Sequence, residues 1–263
     1  MELLDKVAVI TGAGSGIGRA TSLRLAKEKA KIIVADFCEE SGRRTMHEII
    51  SEGGKAQFVN VDVSKEDEVR EMFVMAESIY GGVDIIHNNA GVLGGPRFPD
   101  ANIKYWNRAI DINIKGVLYG IFHGLPFLKK RGGGVIVNTA STAGLTPSLL
   151  DPVYGATKAA VVNLTRSLTF LHNEAGVRVN CVCPALVRTS LEKNSSRSFD
   201  SSSLKEFLTG RAGRSEAQAL VPDDVARAVQ HLIEDDEING VSYKIVVDQP
   251  WDLIAPLEPQ KVG

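Results

Sequence analysis

Three side chains in the middle of the sequence have the types and spacing needed to move a proton. Tyr154 and Lys158 stand four residues apart, so a phenol and an ammonium group share one helix face, and Ser141 lies 13 residues upstream. An ordinary tyrosine titrates near ~10, and lowering its pKa toward neutrality takes about 3 units, or roughly 4 kcal/mol. A neighbouring cation lowers this pKa because it stabilises the phenolate. The Tyr154–Lys158 pair alone proves little, because such spacing also arises by chance. Together with Ser141, whose hydroxyl could bond a substrate oxygen, it is compatible with an acid/base tyrosine supported by Lys158.

A glycine-rich segment near the start of the chain favours binding of a dinucleotide. Thr11-Gly-Ala-Gly-Ser-Gly-Ile-Gly18 follows a β-branched run and leads into a stretch of helical period. Glycines let the backbone approach a ligand, and the helix N-terminus offers free N–H groups to a pyrophosphate. The spacing is not G-x-G-x-x-G, because Ile17 stands where the third glycine would fall. A merely tight turn is the alternative. The residues assigned to this site are Gly12, Ser15, Gly16, Ile17 and Gly18.

Asp36 ends the second β-branched run, 18 residues after Gly18. An acidic residue at this distance accepts hydrogen bonds from the adenosine ribose and repels a 2′-phosphate. No Arg or Lys stands in the glycine loop or directly after Asp36, so we expect NAD(H) rather than NADP(H). A solvated strand-end aspartate is the alternative. Phe37 is assigned to the same site, as are Asp62 and Val63 at the adenine edge, although Asp62 could equally be a turn residue.

These residues must be positioned by alternating strands and helices. Strands are predicted at Val7–Thr11, Ile32–Ala35, Ala56–Val61, Ile85–His87, Val135–Thr139, Val177–Cys183 and Tyr243–Val247. Helices are predicted near 17–29, 39–51, 65–79, 103–130, 153–174 and 223–235. Alternation of this kind, with continuous apolar strands, predicts a parallel sheet covered on both faces. Ser64-Lys-Glu-Asp67 has the form of a capping box and predicts a helix start.

In order and spacing, Thr11–Gly18, Asp36, Asn88–Gly91, Asn113, Ser141, Tyr154 and Lys158 resemble the compact branch of the short-chain dehydrogenase/reductase family. The resemblance covers residues 5 to about 248. It implies an α/β fold, a single doubly wound Rossmann domain with a parallel seven-stranded sheet. It also implies that 1–263 form one dinucleotide-binding and catalytic domain, assembled as a homotetramer or homodimer.

The resemblance also implies roles for individual residues. Tyr154 exchanges a proton with an alcohol or carbonyl oxygen, Ser141 orients and polarises that oxygen, and Asn113 holds a water in a proton relay. Lys158 binds the nicotinamide ribose and lowers the pKa of the tyrosine. The remaining residues implied to contact the cofactor are Asn89, Ala90, Gly91, Pro184, Val187 and Thr189, the last at the nicotinamide carboxamide. Turn chemistry alone could explain Asn88–Gly91, since Asn and Gly tolerate unusual backbone angles.

The chain departs from the family at several positions. Ala185 follows Pro184 where glycine is common, Val247-Asp-Gln-Pro250 replaces a usual Asp-Gly-Gly, and the tail 251–263 is unlike the common short ending. The Ser-rich segment at about 190–215 is either a disordered loop or a lid over the substrate, and its position favours a lid.

The predicted substrate loops follow the fourth, fifth and sixth strands and are mostly apolar. Arg97 and Arg188 are interpreted as solvated loop charges, and no other Arg or Lys is expected to clamp an acidic substrate beside Ser141. We therefore expect a hydrophobic or modestly polar secondary alcohol and its ketone. The predicted lining residues are Val92, Leu93, Pro96, Ala143, Leu145, Pro147, Leu149, Leu150, Ala185 and Leu186.

Composition excludes other classes of protein and of partner. The formal net charge is −2 with 44% hydrophobic residues, so nucleic acid and anionic membranes are not expected partners. Cys38, Cys181 and Cys183 form no closed disulfide set and no metal site, and the strand-like spacing of the last two predicts buried core thiols. With an acidic N-terminus unlike a signal peptide, the chain is expected to be cytoplasmic.

Two other classes of function remain open at this stage. A catalytically idle NAD-binding regulator would use the same fold, and a scaffold protein would use the glycine turn for structure only. The complete set of Ser141, Tyr154 and Lys158 favours the enzyme over both.

Overall fold

The computed structural model describes residues 1–95, 102–189, 191 and 219–255. Its centre is one sheet in which each predicted strand is present within a residue or two of its expected ends. The strands are β1 Val7–Thr11, β2 Lys31–Asp36, β3 Lys55–Asn60, β4 Ile85–Asn88, β5 Gly134–Thr139, β6 Val177–Pro184, β7 Ser242–Ile245 and β8 Asp252–Ile254.

The order of the strands creates a crevice at the carboxyl ends of the central strands. The order is β3-β2-β1-β4-β5-β6-β7-β8, and every pair from β3 through β7 is parallel. The chain winds outward in one direction from β1 to β3 and in the other from β4 onward. Ligands of such sheets bind outside the carboxyl ends of the strands where the direction reverses. The confirmed doubly wound fold thus brings the ends of β1 and β4 together.

The eighth strand corrects the expected seven-stranded sheet. β8 pairs antiparallel with β7, with Tyr243 opposite Leu253, and it lies within the segment expected to be an unusual tail. The ring of Trp251 meets that of Tyr243 edge-on at 5.4 Å between centroids, and Arg227 lies 5.8 Å from the Trp251 centroid. This aromatic packing fastens the strand to the end of the domain.

The helices cover both faces of the sheet. Their bounds are α1 Gly16–Lys27, α2 Glu39–Ser51, α3 Glu66–Tyr80, α4 Ile103–Ile110, α5 Gly116–Lys130, α6 Pro152–Ser167, α7 Leu171–Ala175 and α8 Pro222–Glu234. A π-helical turn, Asp111–Lys115, joins α4 to α5, so the predicted helix over 103–130 is continuous but changes its hydrogen-bonding register. Such π turns are frequent at functional sites.

The start of α3 differs from the prediction. The helix begins at Glu66 after Lys65, and no side chain caps it. Ser64 instead donates its hydroxyl to Asp62 Oδ1 at 2.7 Å, and Glu68 accepts the backbone N–H of Asp62 at 2.8 Å. The capping-box prediction was wrong because Lys65, and not Ser64, occupies the N-cap position of the helix.

Alternate residues of the strands pack into two separate hydrophobic cores, one on each face of the sheet. Ala8 and Ile10 face α1, α2 and α8, whereas Val9 faces α3, α5 and α6. Cys181 and Cys183 are free and buried in the second core, with 3.9 Å between their sulfur atoms. In the described part of the chain, no helix is long and apolar enough to cross a bilayer. The Ser-rich segment predicted as a lid lies, apart from Leu191, outside the described residues.

Arg178 of β6 is a buried cation that ties the sheet to the end of α8. Its side chain is 4% exposed, and it donates to Leu232 O at 2.8 Å, Ile233 O at 2.7 Å and Asp236 Oδ1 at 3.0 Å. Carbonyls in the last turn of a helix lack helical partners and carry partial negative charge. Burial lowers the pKa of the guanidinium, yet the hydrogen bonds satisfy both the arginine and the helix end.

Arg178→Met should lower the free energy of unfolding by about 3 kcal/mol, because it leaves the buried carbonyls of Leu232 and Ile238 without the donor that Arg178 supplies. The matched control is Arg24→Met, which removes a more exposed ion pair with Asp223 at the other end of α8. It should cost less than about 1 kcal/mol. Urea denaturation of both variants measures the difference, and equal losses would contradict this assignment.

Candidate active site

A cleft of about 1600 Å³ runs along the carboxyl ends of the strands. Single small-molecule sites usually occupy about 300–1,000 Å³, so this cleft has room for a dinucleotide and a second ligand. Of the residues predicted to bind the cofactor, all but Gly18 line it. They are Gly12, Ser15, Gly16, Ile17, Asp36, Phe37, Asp62, Val63, Asn89, Ala90, Gly91, Tyr154, Lys158, Pro184, Val187 and Thr189.

The glycine turn joins β1 to α1 and supplies the free amides of the site. Gly12 and Gly16 have φ of +64° and +52°, which side-chain-bearing residues rarely adopt. Gly18 has no such angle, but a Cβ there would overlap Gly12 O and approach Asn89 Nδ2 to 2.6 Å. Ser15 precedes α1 without capping it through its side chain, so the first N–H groups of the helix remain available to an anion. This turn fits the pyrophosphate of a dinucleotide.

Asn89, at the end of β4, holds the glycine turn by its amide. Asn89 Nδ2 donates to Thr11 O at 2.9 Å and to Gly12 O at 3.4 Å. Its Oδ1 accepts from Thr139 Oγ1 at 3.2 Å, which links the turn to β5. None of Asn88–Gly91 has a positive φ, so these residues are not required by unusual backbone angles. Asn88 and Asn89 instead act through hydrogen bonds of their side-chain amides.

Asp36 lies beside the glycine turn and is held by two backbone amides. Its Oδ2 accepts from Gly14 N at 2.7 Å and its Oδ1 from Cys38 N at 2.8 Å. Each carboxylate oxygen can accept a further hydrogen bond, so the group remains able to bind a ribose hydroxyl. Arg44, on α2, lines the same end of the cleft, a cation that sequence reasoning missed.

Asp62 acts as a turn residue, which was the alternative to a role in binding adenine. Its Oδ1 accepts from both the backbone N–H and the hydroxyl of Ser64, at 3.0 and 2.7 Å. It also lines the cleft next to Val63, at the end of β3. The structural role is therefore observed, and contact with an adenine stays a prediction.

Tyr154 and Lys158 lie on the first two turns of α6. Lys158 Nζ is 5.6 Å from the centre of the Tyr154 ring and donates to Thr139 O at 2.7 Å. The side chain of Lys158 is 3% exposed, and this burial lowers its pKa to about 8. Desolvation disfavours the ammonium, so a nearby phenolate would be an especially favourable partner for it.

Ser141 sits directly opposite this helix, just beyond β5. Its Oγ accepts from Ala143 N at 3.1 Å and lies 3.5 Å from Pro184 O, the end of β6. The residue is 9% exposed and lines the same cleft as Tyr154 and Lys158. The structure thus brings the three predicted proton-handling residues together.

Asn113, from the π turn, is placed differently from the other predicted catalytic residues. It is fully buried, and it does not line the cleft. Its amide pairs with both backbone groups of Val92, at 2.9 and 2.8 Å, and donates to Thr157 Oγ1 at 3.0 Å. Its observed contacts therefore fasten the loop after β4 against α6, and a role in a proton relay stays a prediction.

Asp151 was missed by sequence reasoning. Its Oδ1 accepts from Tyr154 N and its Oδ2 from Gly94 N, both at 2.9 Å. It thus caps α6 at the turn that carries Tyr154 and ties this turn to the loop after β4. Asp151-Pro152 is the usual signature of a helix start and would have identified the residue.

The substrate end of the cleft is only partly as predicted. Leu145 packs into the core instead of lining the cleft, and Pro96 and Arg97 lie outside the described residues. Arg188 is exposed and does not line the cleft. Polar residues of α4 also border it, contrary to the expectation of a largely apolar lining; they are Lys104, Asn107 and Arg108. The predicted residues that do line it are Val92, Leu93, Ala143, Pro147, Leu149, Leu150, Ala185 and Leu186.

The sequence of this chain is similar to those of known proteins. The profile of the short chain dehydrogenase family matches residues 6–199. Cyclohexanol dehydrogenase of Acinetobacter sp. (strain SE19) is 34% identical over 246 residues, covering 93% of this chain and 94% of that protein. 3beta-hydroxysteroid dehydrogenase 2 of Eggerthella lenta is also 34% identical, over 254 residues and 95% of each chain.

A solved structure shows the same likeness in three dimensions. A short chain dehydrogenase/reductase from Burkholderia phymatum, in complex with NAD, superposes with a TM-score of 0.83 at 32% identity. The match covers 91% of this chain and 89% of the other. A doubly wound sheet with a dinucleotide-type glycine turn defines the class of fold. The chain belongs to the short-chain dehydrogenase/reductase family of oxidoreductase enzymes.

In the unliganded protein Lys158 should titrate near pH 8, whereas Lys115 should titrate above its usual range because Asp111 bonds its ammonium. Between pH 8 and 10.5 the unfolded chain still holds the Lys158 proton that the folded chain has lost. The contribution of this residue to stability therefore rises with pH across that window. NMR titration of labelled lysine side chains, with Lys158→Met for assignment, checks this. A Lys158 signal that titrates with the exposed lysines would contradict it.

Proposed function

We propose that the chain is an NAD-dependent oxidoreductase that interconverts a secondary alcohol and its ketone. The observation that carries the proposal is the meeting of Ser141, Tyr154 and the buried Lys158 in one cleft with the glycine turn. NAD, when bound, accepts or returns the hydride at the carbinol carbon. The residues of the chain bind and orient the two ligands and move the proton.

Tyr154 exchanges the proton with the substrate oxygen. The charged form of Lys158 favours the phenolate, and the contact of Lys158 with Thr139 O fixes its ammonium beside the tyrosine ring. Ser141, anchored between Ala143 N and the end of β6, holds the same substrate oxygen. Asp151 supports this geometry by fixing the helix turn from which Tyr154 projects.

Asp36 supports the proposal that the cofactor is NAD rather than its phosphorylated form. The carboxylate of Asp36 lies at the glycine turn, where it can accept ribose hydroxyls and would repel a 2′-phosphate. Pro184, Val187 and Thr189 also line the cleft, and Pro184 O lies 3.5 Å from Ser141 Oγ, at the end where the substrate oxygen would bind. Two ends of the cleft are thus assigned to the adenosine and nicotinamide halves.

Apolar residues near Ser141 and Tyr154 support the proposed substrate class, and the polar residues of α4 that border the same cleft are compatible with a modestly polar substrate. Val92 and Leu93 are buried beneath the cleft, while Leu149 and Leu150 are exposed at its mouth. Relatives at 34% identity carry names that specify cyclohexanol and a 3β-hydroxysteroid, both secondary ring alcohols. We propose a hydrophobic or modestly polar secondary alcohol.

We further propose a cytoplasmic homo-oligomer, a dimer or tetramer. The exposed side of α5 supports this, because Phe122 is 71% exposed and Leu118 is 42% exposed on the same helix face. A formal net charge of −2 supports a small-molecule substrate rather than nucleic acid or an anionic membrane as the main partner.

Tyr154→Phe should abolish NADH formation from a panel of apolar secondary alcohols, with a loss in kcat of at least ~100-fold. Its dissociation constant for NADH should stay within about twofold, because the substitution keeps the ring that lines the cleft and removes only the hydroxyl. Absorbance of NADH and fluorescence titration measure the two quantities. The matched control is Tyr80→Phe at the end of α3, away from the cleft, which should keep wild-type turnover.

A catalytically idle regulator would bind NADH and show no turnover, either as the wild type or as Tyr154→Phe. Far higher activity with small hydrophilic polyols than with apolar alcohols would overturn the substrate class while leaving the reaction type intact.

The wild-type protein should bind NAD⁺ at least about 10-fold more tightly than NADP⁺, and Asp36→Asn should narrow that ratio by removing the negative charge. The substitution keeps the shape of the side chain, so the turn at Gly14 is disturbed as little as possible. Parallel titrations with both dinucleotides measure the ratio. Tighter binding of NADP⁺ by the wild type would contradict the assignment of Asp36.

A further inference from the structure

His87 is a fully buried histidine in β4 to which the reaction assigns no role. Its side chain has no exposure, and its Nε2 lies 2.9 Å from Thr139 Oγ1 on the neighbouring β5. Its Nδ1 is buried without a hydrogen-bond partner in the described part of the chain. Burial lowers the pKa of the ring to about 3, so it is neutral in the folded protein. A neutral imidazole carries one N–H and one bare nitrogen.

The surrounding bonds decide which nitrogen carries the proton. The amide nitrogen of Asn89 donates to the carbonyls of Thr11 and Gly12, so its oxygen must face Thr139. That oxygen can only accept, and Thr139 therefore spends its single hydroxyl proton on Asn89. The hydroxyl oxygen can then only accept from His87. The proton of the imidazole lies on Nε2.

The opposite tautomer would leave hydrogen-bonding groups unsatisfied at both ring nitrogens. With the proton on Nδ1, a buried N–H would have no acceptor, and such groups are rarer than unpaired buried acceptors. The bare Nε2 would also compete with Asn89 for the Thr139 proton. The observed geometry therefore supports one direction of donation, from His87 through Thr139 to Asn89.

We propose that His87 is a positioning residue for the cofactor. Its ring fixes the Thr139 hydroxyl on Asn89, and Asn89 in turn fixes the carbonyls that shape the glycine turn. The inference rests on the proposed binding of NAD at that turn. It adds a residue that touches neither cofactor nor substrate and that acts three hydrogen bonds away from the turn.

Asn89, where this series of hydrogen bonds ends, is tightly packed against the glycine turn, so a change at His87 should have a measurable effect on cofactor binding. The Asn89 amide fills the space above the two glycines, because a Cβ on Gly12 or Gly18 would approach Asn89 Nδ2 to 3.1 or 2.6 Å. A rotated Asn89 amide would therefore displace the turn and its N–H groups. Thr139 also accepts Lys158 Nζ at its backbone carbonyl. That second contact uses the main chain, so a change at the hydroxyl leaves it in place.

Two amide substitutions separate the hydrogen bond from the bulk of the ring. The nitrogen of His87→Gln can reach the place of Nε2 and donate to Thr139, whereas the shorter amide of His87→Asn reaches only the place of Nδ1. His87→Asn should raise the dissociation constant for NADH about 10-fold, and His87→Gln should stay within about threefold of wild type. The change should fall on binding and on KM for NAD⁺ rather than on kcat. Titration by NADH fluorescence, using the full chain without substrate, measures it.

Thr139→Val and its serine counterpart keep the test decisive if His87→Asn does not fold. Thr139→Val should weaken NADH binding by a similar factor, and Thr139→Ser should not. His87→Asn combined with Thr139→Val should bind no worse than Thr139→Val alone, since both act through one chain of bonds. Nitrogen chemical shifts of the His87 ring should report the Nε2–H tautomer in the wild type and a changed state in Thr139→Val.

The outcomes distinguish this inference from the proposed function. Wild-type affinity in His87→Asn, equal weakening in His87→Gln, or unchanged binding in Thr139→Val would each overturn the role of His87 while NAD binding stands. A wild-type chain that binds no NADH would overturn the proposed function itself.

Discussion

The site depends above all on the contact between the ends of β1 and β4, which are neighbours only because the sheet reverses its winding there. At that point the Asn89 amide bonds the carbonyls that open the glycine turn, and its own oxygen is bonded from β5. Free backbone N–H groups bind an anion well only if they are held in place before it arrives. The side chain of Asn89 thus connects the topology of the sheet to the shape of the cofactor turn, and only a glycine at position 18 leaves space for its amide.

The catalytic helix reflects a balance between burial and charge. α6 begins at a capping aspartate, which orders its first turn, and its second turn buries Lys158 against Thr139 O. Burial alone would push the lysine toward neutrality. The same burial strengthens any attraction between its ammonium and a phenolate, because the effective dielectric is low there. Lys158 is thus costly to charge in isolation, and its charge becomes favourable when Tyr154 releases its proton.

The sequence predicted those parts of the structure that depend on local pattern. β-branched runs located the seven parallel strands, and spacing located Ser141, Tyr154 and Lys158. β8 escaped notice because Asp252–Ile254 is only three residues long, too short to show a period. The contact of His87 with Thr139 depends on how β4 and β5 are paired, and the polar residues of α4 reach the cleft through helix placement. No local spacing encodes such contacts.

β8 also occupies the hydrogen-bonding edge of β7 that would otherwise be unpaired. An unpaired edge strand exposes a row of donors and acceptors that recruits foreign strands, and proteins usually shield it. Here the chain supplies its own cover, three residues long and clamped by the Trp251 and Tyr243 rings. A second copy meeting this side would find the short, antiparallel β8 rather than the backbone of β7. The extra strand thus disfavours aggregation through edge-to-edge pairing of sheets at β7.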